Sequence, residues 1–92
     1  MTTASSSLDD QRRRALYRAS HRGTREMDWL LGRFAAAELA AMDAGQLAAF
    51  ERLLQLPDPD LNRWILDPAG VVDEETGALI GDIRTFHGIG AP

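Results

Sequence analysis

The fold is decided by residues 42–54, which read MDAGQLAAFERLL. Asp43 is a suitable N-cap, and Gln46 follows three residues later, which is the spacing of a capping box. Met42 and Leu47 occupy the two positions of a hydrophobic staple around this start. Apolar side chains then recur at helical spacing, at Leu47, Phe50, Leu53 and Leu54. This stretch therefore predicts an amphipathic helix that ends near residue 55.

The chain before this stretch predicts two further helices joined by a tight corner. The first covers about residues 9–21, and we expect its inward face to consist of Ala15, Leu16 and Ala19. Gly23 then provides a position that tolerates positive φ, and Thr24 can cap the next helix. That second helix has an apolar stripe made of Met27, Leu30, Leu31 and Phe34.

The chain after residue 55 predicts a short fourth helix. Asp58 followed by Pro59 is typical of an N-cap and the first helical position. The inward face would consist of Leu61, Trp64 and Ile65. Asp67-Pro68 would end this helix, because the residue before a proline is disfavoured in the helical region.

The segment 71–86 leaves two alternatives open. Its apolar residues fit a helix that begins near Asp73, whereas Thr76-Gly77 between two apolar runs also fits a hairpin. From the other segments the chain predicts an all-α fold, a small antiparallel bundle of four to five short helices. We expect a flexible N-terminal tail over residues 1–8, a single helical-bundle domain over 9–88 and a C-terminal tail over 89–92.

Charge is distributed unevenly along the 92 residues, whose net charge is −4. Residues 1–25 carry six arginines against two aspartates, whereas residues 26–92 carry four arginines against twelve acids. An acidic chain argues against general nucleic-acid binding, while a basic end on an acidic body suits oriented docking to another macromolecule. No apolar run is long enough for a membrane span, and the N-terminus lacks the apolar region of a secretory signal. We therefore expect a protein of the bacterial cytoplasm.

The sequence contains few residues in patterns typical of a catalytic or metal-binding site. The chain has no cysteine, and its two histidines, His21 and His87, are far apart. Neither a phosphate-binding glycine loop nor a metalloprotease motif is present. Asp58 and Asp60 are explained more simply by helix-start preferences than as an acid–base pair. The prediction is a protein that is not an enzyme and binds no metal.

The two tryptophans predict different environments. Trp64 has helical spacing from Leu61 and is expected in the core. Trp29 lies off the apolar stripe of the second helix, so it is either a partly exposed interface anchor or a residue that packs on a second face.

Residues 21–28, HRGTREMD, gather charged side chains at the corner between the first two helices. A simple helix joint explains Gly23 and Thr24. It does not explain why Arg22, Arg25 and Glu26 should all project from one rim, as we expect them to. Guanidinium groups on such a rim suit hydrogen bonding to a partner's backbone or to an anion.

Arg22-Gly23-x-x-Glu26, followed by Asp28 and an apolar helix, resembles the RGxxE signature of the succinate dehydrogenase assembly factor family, the SdhE-type flavinylation factors. The stretch DPDLNRW at residues 58–64 is similar to a second block of that family. His21 departs from the pattern, since an arginine often precedes the motif. The resemblance extends over roughly residues 10–87.

The resemblance implies a five-helix bundle that binds the flavoprotein subunit of succinate dehydrogenase, or of fumarate reductase, and promotes covalent attachment of FAD to it. FAD would be held by the partner and not bound stably by this chain, which would be monomeric when free. The residues implied in partner binding are His21, Arg22, Gly23, Arg25, Glu26 and Asp28. Gly23 is expected to let the two helices pack closely and to keep the surface free of a side chain.

A different class remains as the alternative. A small helical regulatory adaptor, similar to an antitoxin, would use the same rim on an unrelated protein partner.

Overall fold

The computed structural model describes residues 4–90 and contains five α-helices within them. They are α1 (Ala4–Ser20), α2 (Arg25–Glu38), α3 (Ala44–Leu54), α4 (Asp58–Leu66) and α5 (Glu74–His87). Short 3₁₀ turns follow α2 at Leu39–Ala41 and α4 at Pro68–Gly70. The described residues form no strand, which confirms the all-α prediction.

Helix α1 begins earlier than expected. We predicted a tail over residues 1–8, but the chain is helical from Ala4, while residues 1–3 lie outside the described part. At the other end Gly88 caps α5 with a left-handed φ of 70°. Of the tail expected over residues 89–92, the last two residues also lie outside the described part.

The three residues expected on the inward face of α1 differ in their burial. Ala15 and Ala19 are fully buried as expected, whereas Leu16 is 36% exposed, so its predicted inward orientation is wrong. The reason is geometric: α1 packs mainly along α2, and a stripe of small residues brings the two helices close together. Gly32 on α2 approaches Ser20 on α1 so closely that a Cβ there would lie 2.9 Å from the serine Oγ.

The start of α3 has the geometry that its sequence predicts. Oδ1 of Asp43 accepts from the Gln46 N–H at 2.8 Å, and Oε1 of Gln46 accepts from the Asp43 N–H at 2.9 Å. Met42 and Leu47, the predicted staple pair, are both buried. Arg12 on α1 also holds this region, since it donates to the carbonyls of Leu39 and Met42 at 3.0 and 2.7 Å.

The segment after residue 71 is a helix and not a hairpin. Asp73 caps α5 by accepting from the backbone N–H of Thr76 at 2.8 Å. Ile80 and Ile83 are fully buried and join one core with apolar residues of the other four helices. The side chain of Phe86 lies at the edge of this core and is 41% exposed.

Helix α4 differs in two details from the expectation. Pro57 is its N-cap and Asp58 its first residue, so the predicted capping role of Asp58 is wrong. Leu61 and Ile65 are fully buried, but Trp64 is only partly buried against the core.

None of the helices within residues 4–90 is long and apolar enough to cross a membrane.

Candidate functional site

The corner between α1 and α2 has a fixed backbone conformation. Gly23 has φ +113°, a conformation that L side chains rarely adopt. The backbone N–H groups of Arg22 and Gly23 both donate to Oδ1 of Asp28. Oγ1 of Thr24 accepts from the Met27 N–H at 3.2 Å, which is the N-cap predicted for α2. Asp28 therefore acts inside the corner, where it holds the turn.

The role of Gly23 differs from the one expected. A Cβ built at Gly23 would meet no atom within 4 Å, so this glycine is not needed for close helix packing. Gly32 has that role instead, against Ser20. What Gly23 provides is the positive φ and a surface without a side chain.

Arg22 points inward and not from a rim, so that part of the prediction is wrong. Its side chain is only 11% exposed. Nε donates to Oδ1 of Asp58 at 2.8 Å, Nη1 to the Leu54 carbonyl at 2.6 Å and Nη2 to the Leu56 carbonyl at 2.9 Å. One guanidinium thus fastens the α1–α2 corner to the end of α3 and the start of α4. These carbonyls lie at a helix C-terminus, where cations are stabilised.

The partner of Arg22, Asp58, was missed as a residue of the site. The residue that starts α4 lies 36 positions away in sequence and is 21% exposed. The only signal in the sequence was that Asp58 opens the second block of the family resemblance. Nothing in the local pattern indicates which arginine it would meet.

The remaining predicted residues are exposed at the corner. The Nδ1–H of His21 donates to the Tyr17 carbonyl oxygen at 2.8 Å, and the imidazole ring stacks on Tyr17 with centroids 4.0 Å apart. Arg25 and Glu26 are exposed, and within the described residues neither side chain has an ion-pair partner. We call the exposed residues Tyr17, His21, Gly23, Arg25 and Glu26 the corner surface.

Trp29 lies one turn beyond the corner surface and combines both expected environments. It is 49% exposed. One side of its ring packs on His87 of α5, with centroids 4.7 Å apart, and the guanidinium of Arg33 lies 5.8 Å from its centroid. His87 is in turn held by the Leu30 carbonyl at 2.7 Å. The tryptophan is therefore fixed in place while half of it remains accessible.

The corner surface lies outside two grooves of the described part of the chain, so it suits protein contact better than ligand enclosure. Residues 21–28 line neither the groove between α2, α3 and α5 nor a smaller one between α1 and the end of α2. The larger groove, between α2, α3 and α5, is bordered by three carboxylates and by no basic side chain of the described residues. FAD carries a negatively charged pyrophosphate, so this groove does not suit it. Among the described residues no group of three or more His, Asp or Glu side chains could hold a metal ion.

Comparison with known proteins places the chain among assembly factors. A family model described as "flavinator of succinate dehydrogenase" matches residues 13–87. The "FAD assembly factor SdhE" of Acetobacter pasteurianus is 36% identical over 77 residues, which cover 84% of this chain and 71% of that protein. The mitochondrial "succinate dehydrogenase assembly factor 2" of Dictyostelium discoideum is 41% identical over 75 residues, which cover 80% of this chain and 53% of that protein.

A further relative, the "FAD assembly factor SdhE" of Legionella pneumophila strain Paris, is 36% identical over 59 residues, 64% of this chain and 75% of that protein. No solved structure matches the chain.

Proposed function

Because the chain belongs to the family of succinate dehydrogenase flavinators, we propose that it binds the flavoprotein subunit of that enzyme and promotes covalent FAD attachment to it. The family match confirms the resemblance to succinate dehydrogenase assembly factors and the prediction of an assembly factor rather than an enzyme. The flavoprotein supplies the flavin and the residue to which it becomes attached. This chain supplies a surface that holds the flavoprotein in the geometry from which the bond forms.

The observation that supports this role best is that the charged residues of the segment 22–28 have different roles in the structure. The guanidinium of Arg22 donates three hydrogen bonds within the molecule. The carboxylate of Asp28 accepts from two backbone N–H groups of the corner. Glu26 is exposed and, among the described residues, has no ion-pair partner. Arg22 and Asp28 therefore fix the conformation of the corner, and Glu26 remains accessible to a partner.

We assign the residues two kinds of task. Arg22 and Asp28 are positioning residues, which act on the partner only through the shape of the corner. His21, Gly23, Arg25 and Glu26 contact the flavoprotein directly. Preorganisation of this kind lowers the ordering cost of association, and an interface of standard size takes about 800 Å² from each partner.

FAD is assigned to the partner and not to this chain. Two observations support that assignment: residues 21–28 line neither groove, and the larger groove has an acidic border. The flavoprotein subunit of fumarate reductase is a second partner that we assign to this chain. The chain acts as a monomer when it is free. We assign it to the bacterial cytoplasm, in line with the bacterial relatives.

Reconstitution tests the function directly. Purified apo-flavoprotein subunit is incubated with FAD, with and without this chain, and covalent flavin is read as fluorescence in a denaturing gel. We expect the chain to raise the flavinylated fraction severalfold. An unchanged fraction, together with no complex in size-exclusion chromatography, would contradict the proposal. Capture of a partner without flavin would favour the adaptor alternative.

A further inference from the structure

A groove of about 570 Å³ opens between α2, α3 and α5 and shares no residue with the corner surface. Its walls include the apolar side chains of Phe34, Met42, Leu79 and Phe86. Phe86 stands edge-on to Phe34 with ring centroids 5.8 Å apart, and 41% of its surface is exposed. An aromatic ring fixed at the rim of an apolar depression is typical of a surface that receives side chains of a partner.

Acids border this groove. Glu38, Glu75 and Asp82 line it, and no basic side chain of the described residues does. Glu75 is paired with Arg52, whose Nη2 lies 2.7 Å from Oε1. Glu38 and Asp82 are exposed and, within residues 4–90, form no ion pair. The rim therefore keeps a negative potential that selects a positively charged occupant.

We propose that this groove binds a segment of the flavoprotein subunit that presents apolar side chains flanked by lysine or arginine, an assignment that rests on the function proposed above. Amphipathic segments dock in this way, with apolar anchors in the groove and charges at its rim. The same acidic rim disfavours an acidic segment or a phosphorylated ligand.

The position of the groove suits one continuous interface with the corner surface. Phe34 follows Glu26 by eight residues on α2, a distance of about 12 Å along the helix axis. An interface that takes about 800 Å² from each partner is roughly 30 Å across. The corner surface would thus hold one part of the flavoprotein while the groove holds another.

Ala78→Arg tests this assignment without removing any contact. Ala78 is exposed and lines the groove on α5, with Glu75 three residues before it and Asp82 four residues after it. The new guanidinium would pair with these carboxylates and cover the apolar floor, and such pairs stabilise a helix slightly. We expect affinity for the apo-flavoprotein to fall about tenfold or more, which corresponds to at least ~1.4 kcal/mol.

Two further variants separate charge from shape. Asp82→Lys should weaken binding at low salt, and this loss should shrink as ionic strength rises. Ala69→Arg makes the same substitution at an exposed residue of the Pro68–Gly70 turn, outside the groove. It should leave the affinity unchanged.

Crosslinking identifies the occupant. With a photoreactive benzoylphenylalanine at position 78, the crosslinked flavoprotein peptide should contain apolar residues and at least one Lys or Arg nearby. A crosslink to an acidic segment, a crosslink only to a second copy of this chain, or full affinity of folded Ala78→Arg would overturn the assignment. If Ala78→Arg binds fully while Gly23→Arg does not, the groove assignment fails and the proposed function stands; if the wild type does not bind, both fail.

Discussion

The guanidinium of Arg22 lies 2.8 Å from the carboxylate of Asp58, and the two residues join the two stretches on which the family resemblance was based, across 36 positions of sequence. The same guanidinium holds the carbonyls of Leu54 and Leu56. The arginine of the motif is thus a structural tie between the α1–α2 corner and the α3–α4 connection.

Arg22→Ala should therefore destabilise the fold. The change leaves a carboxylate and two carbonyls without their donor, and losing one partner of a largely buried charged pair costs about 2–4 kcal/mol. For a domain of this size that corresponds to a fall in Tm of roughly 10–25 °C. Thermal unfolding followed by circular dichroism measures it. Arg25→Ala, at the exposed arginine nearby, is the control and should change stability by less than about 0.5 kcal/mol; equal effects of the two variants would refute the tie.

Glu26→Ala should have the opposite profile. Glu26 is an exposed acid in the first turn of α2, so its loss costs only about 0.3–1 kcal/mol of stability. The flavinylated fraction of the partner should nevertheless fall severalfold in the reconstituted reaction. Glu74→Ala removes an exposed first-turn acid from α5 and serves as the matched control, with flavinylation unchanged. Equal flavinylation by both variants would remove Glu26 from the contact surface.

Two helical glycines should respond to alanine with opposite signs. A Cβ at Gly32 would lie 2.9 Å from Ser20 Oγ and 3.2 Å from Ser20 Cα, whereas a Cβ at Gly81 meets nothing within 4 Å. Gly32→Ala should cost about 1–3 kcal/mol through overpacking, and Gly81→Ala should gain about 0.5–1 kcal/mol from helix propensity. Urea denaturation of both variants decides this. A gain in stability for Gly32→Ala would show that α1 and α2 are not in close contact there.

The stability of α5 should depend on pH through two carboxyls. The hydrogen bond from the Thr76 backbone lowers the pKa of Asp73 below 3.8, and the hydrogen bond from Arg52 lowers the pKa of Glu75 below 4.5. Because both pKa values are depressed on folding, their stabilising contribution is present above these values and is lost as pH falls through the folded ones.

Glu75→Gln checks this dependence, with denaturation measured at several pH values. The stability difference between the wild type and the variant should be present near neutral pH and should shrink as the pH falls through the lowered pKa of Glu75. A difference that stays constant over this range would contradict the Arg52–Glu75 pair.

The sequence correctly predicted those features of the fold that depend on residues close together in the chain. The caps at Asp43, Thr24 and Asp73 and the apolar stripes of α2 and α3 are set by contacts within a few positions, and the structure contains them. Leu16 and Trp64 were placed too deep, because helical spacing gives the face of a residue but not how far the neighbouring helix extends over it.

The candidate site was predicted less completely, for the same physical reason. The spacing of the motif located the corner, yet the direction of Arg22 depends on where the α3–α4 connection passes. That is a tertiary fact, since its partner stands 36 residues away. From the sequence alone it was therefore not possible to tell that Arg22 is buried whereas Glu26 is exposed.

The affinity of two Gly23 variants for the apo-flavoprotein tests the contact surface most directly. Both impose the same backbone strain at φ +113°, but Gly23→Arg adds a long side chain to the surface and Gly23→Ala adds only a methyl group. By titration calorimetry we expect Gly23→Ala to bind within severalfold of the wild type and Gly23→Arg to lose about 100-fold or more, as blocking the centre of an interface does. Full affinity and full flavinylation with folded Gly23→Arg would contradict the claim that this corner binds the flavoprotein.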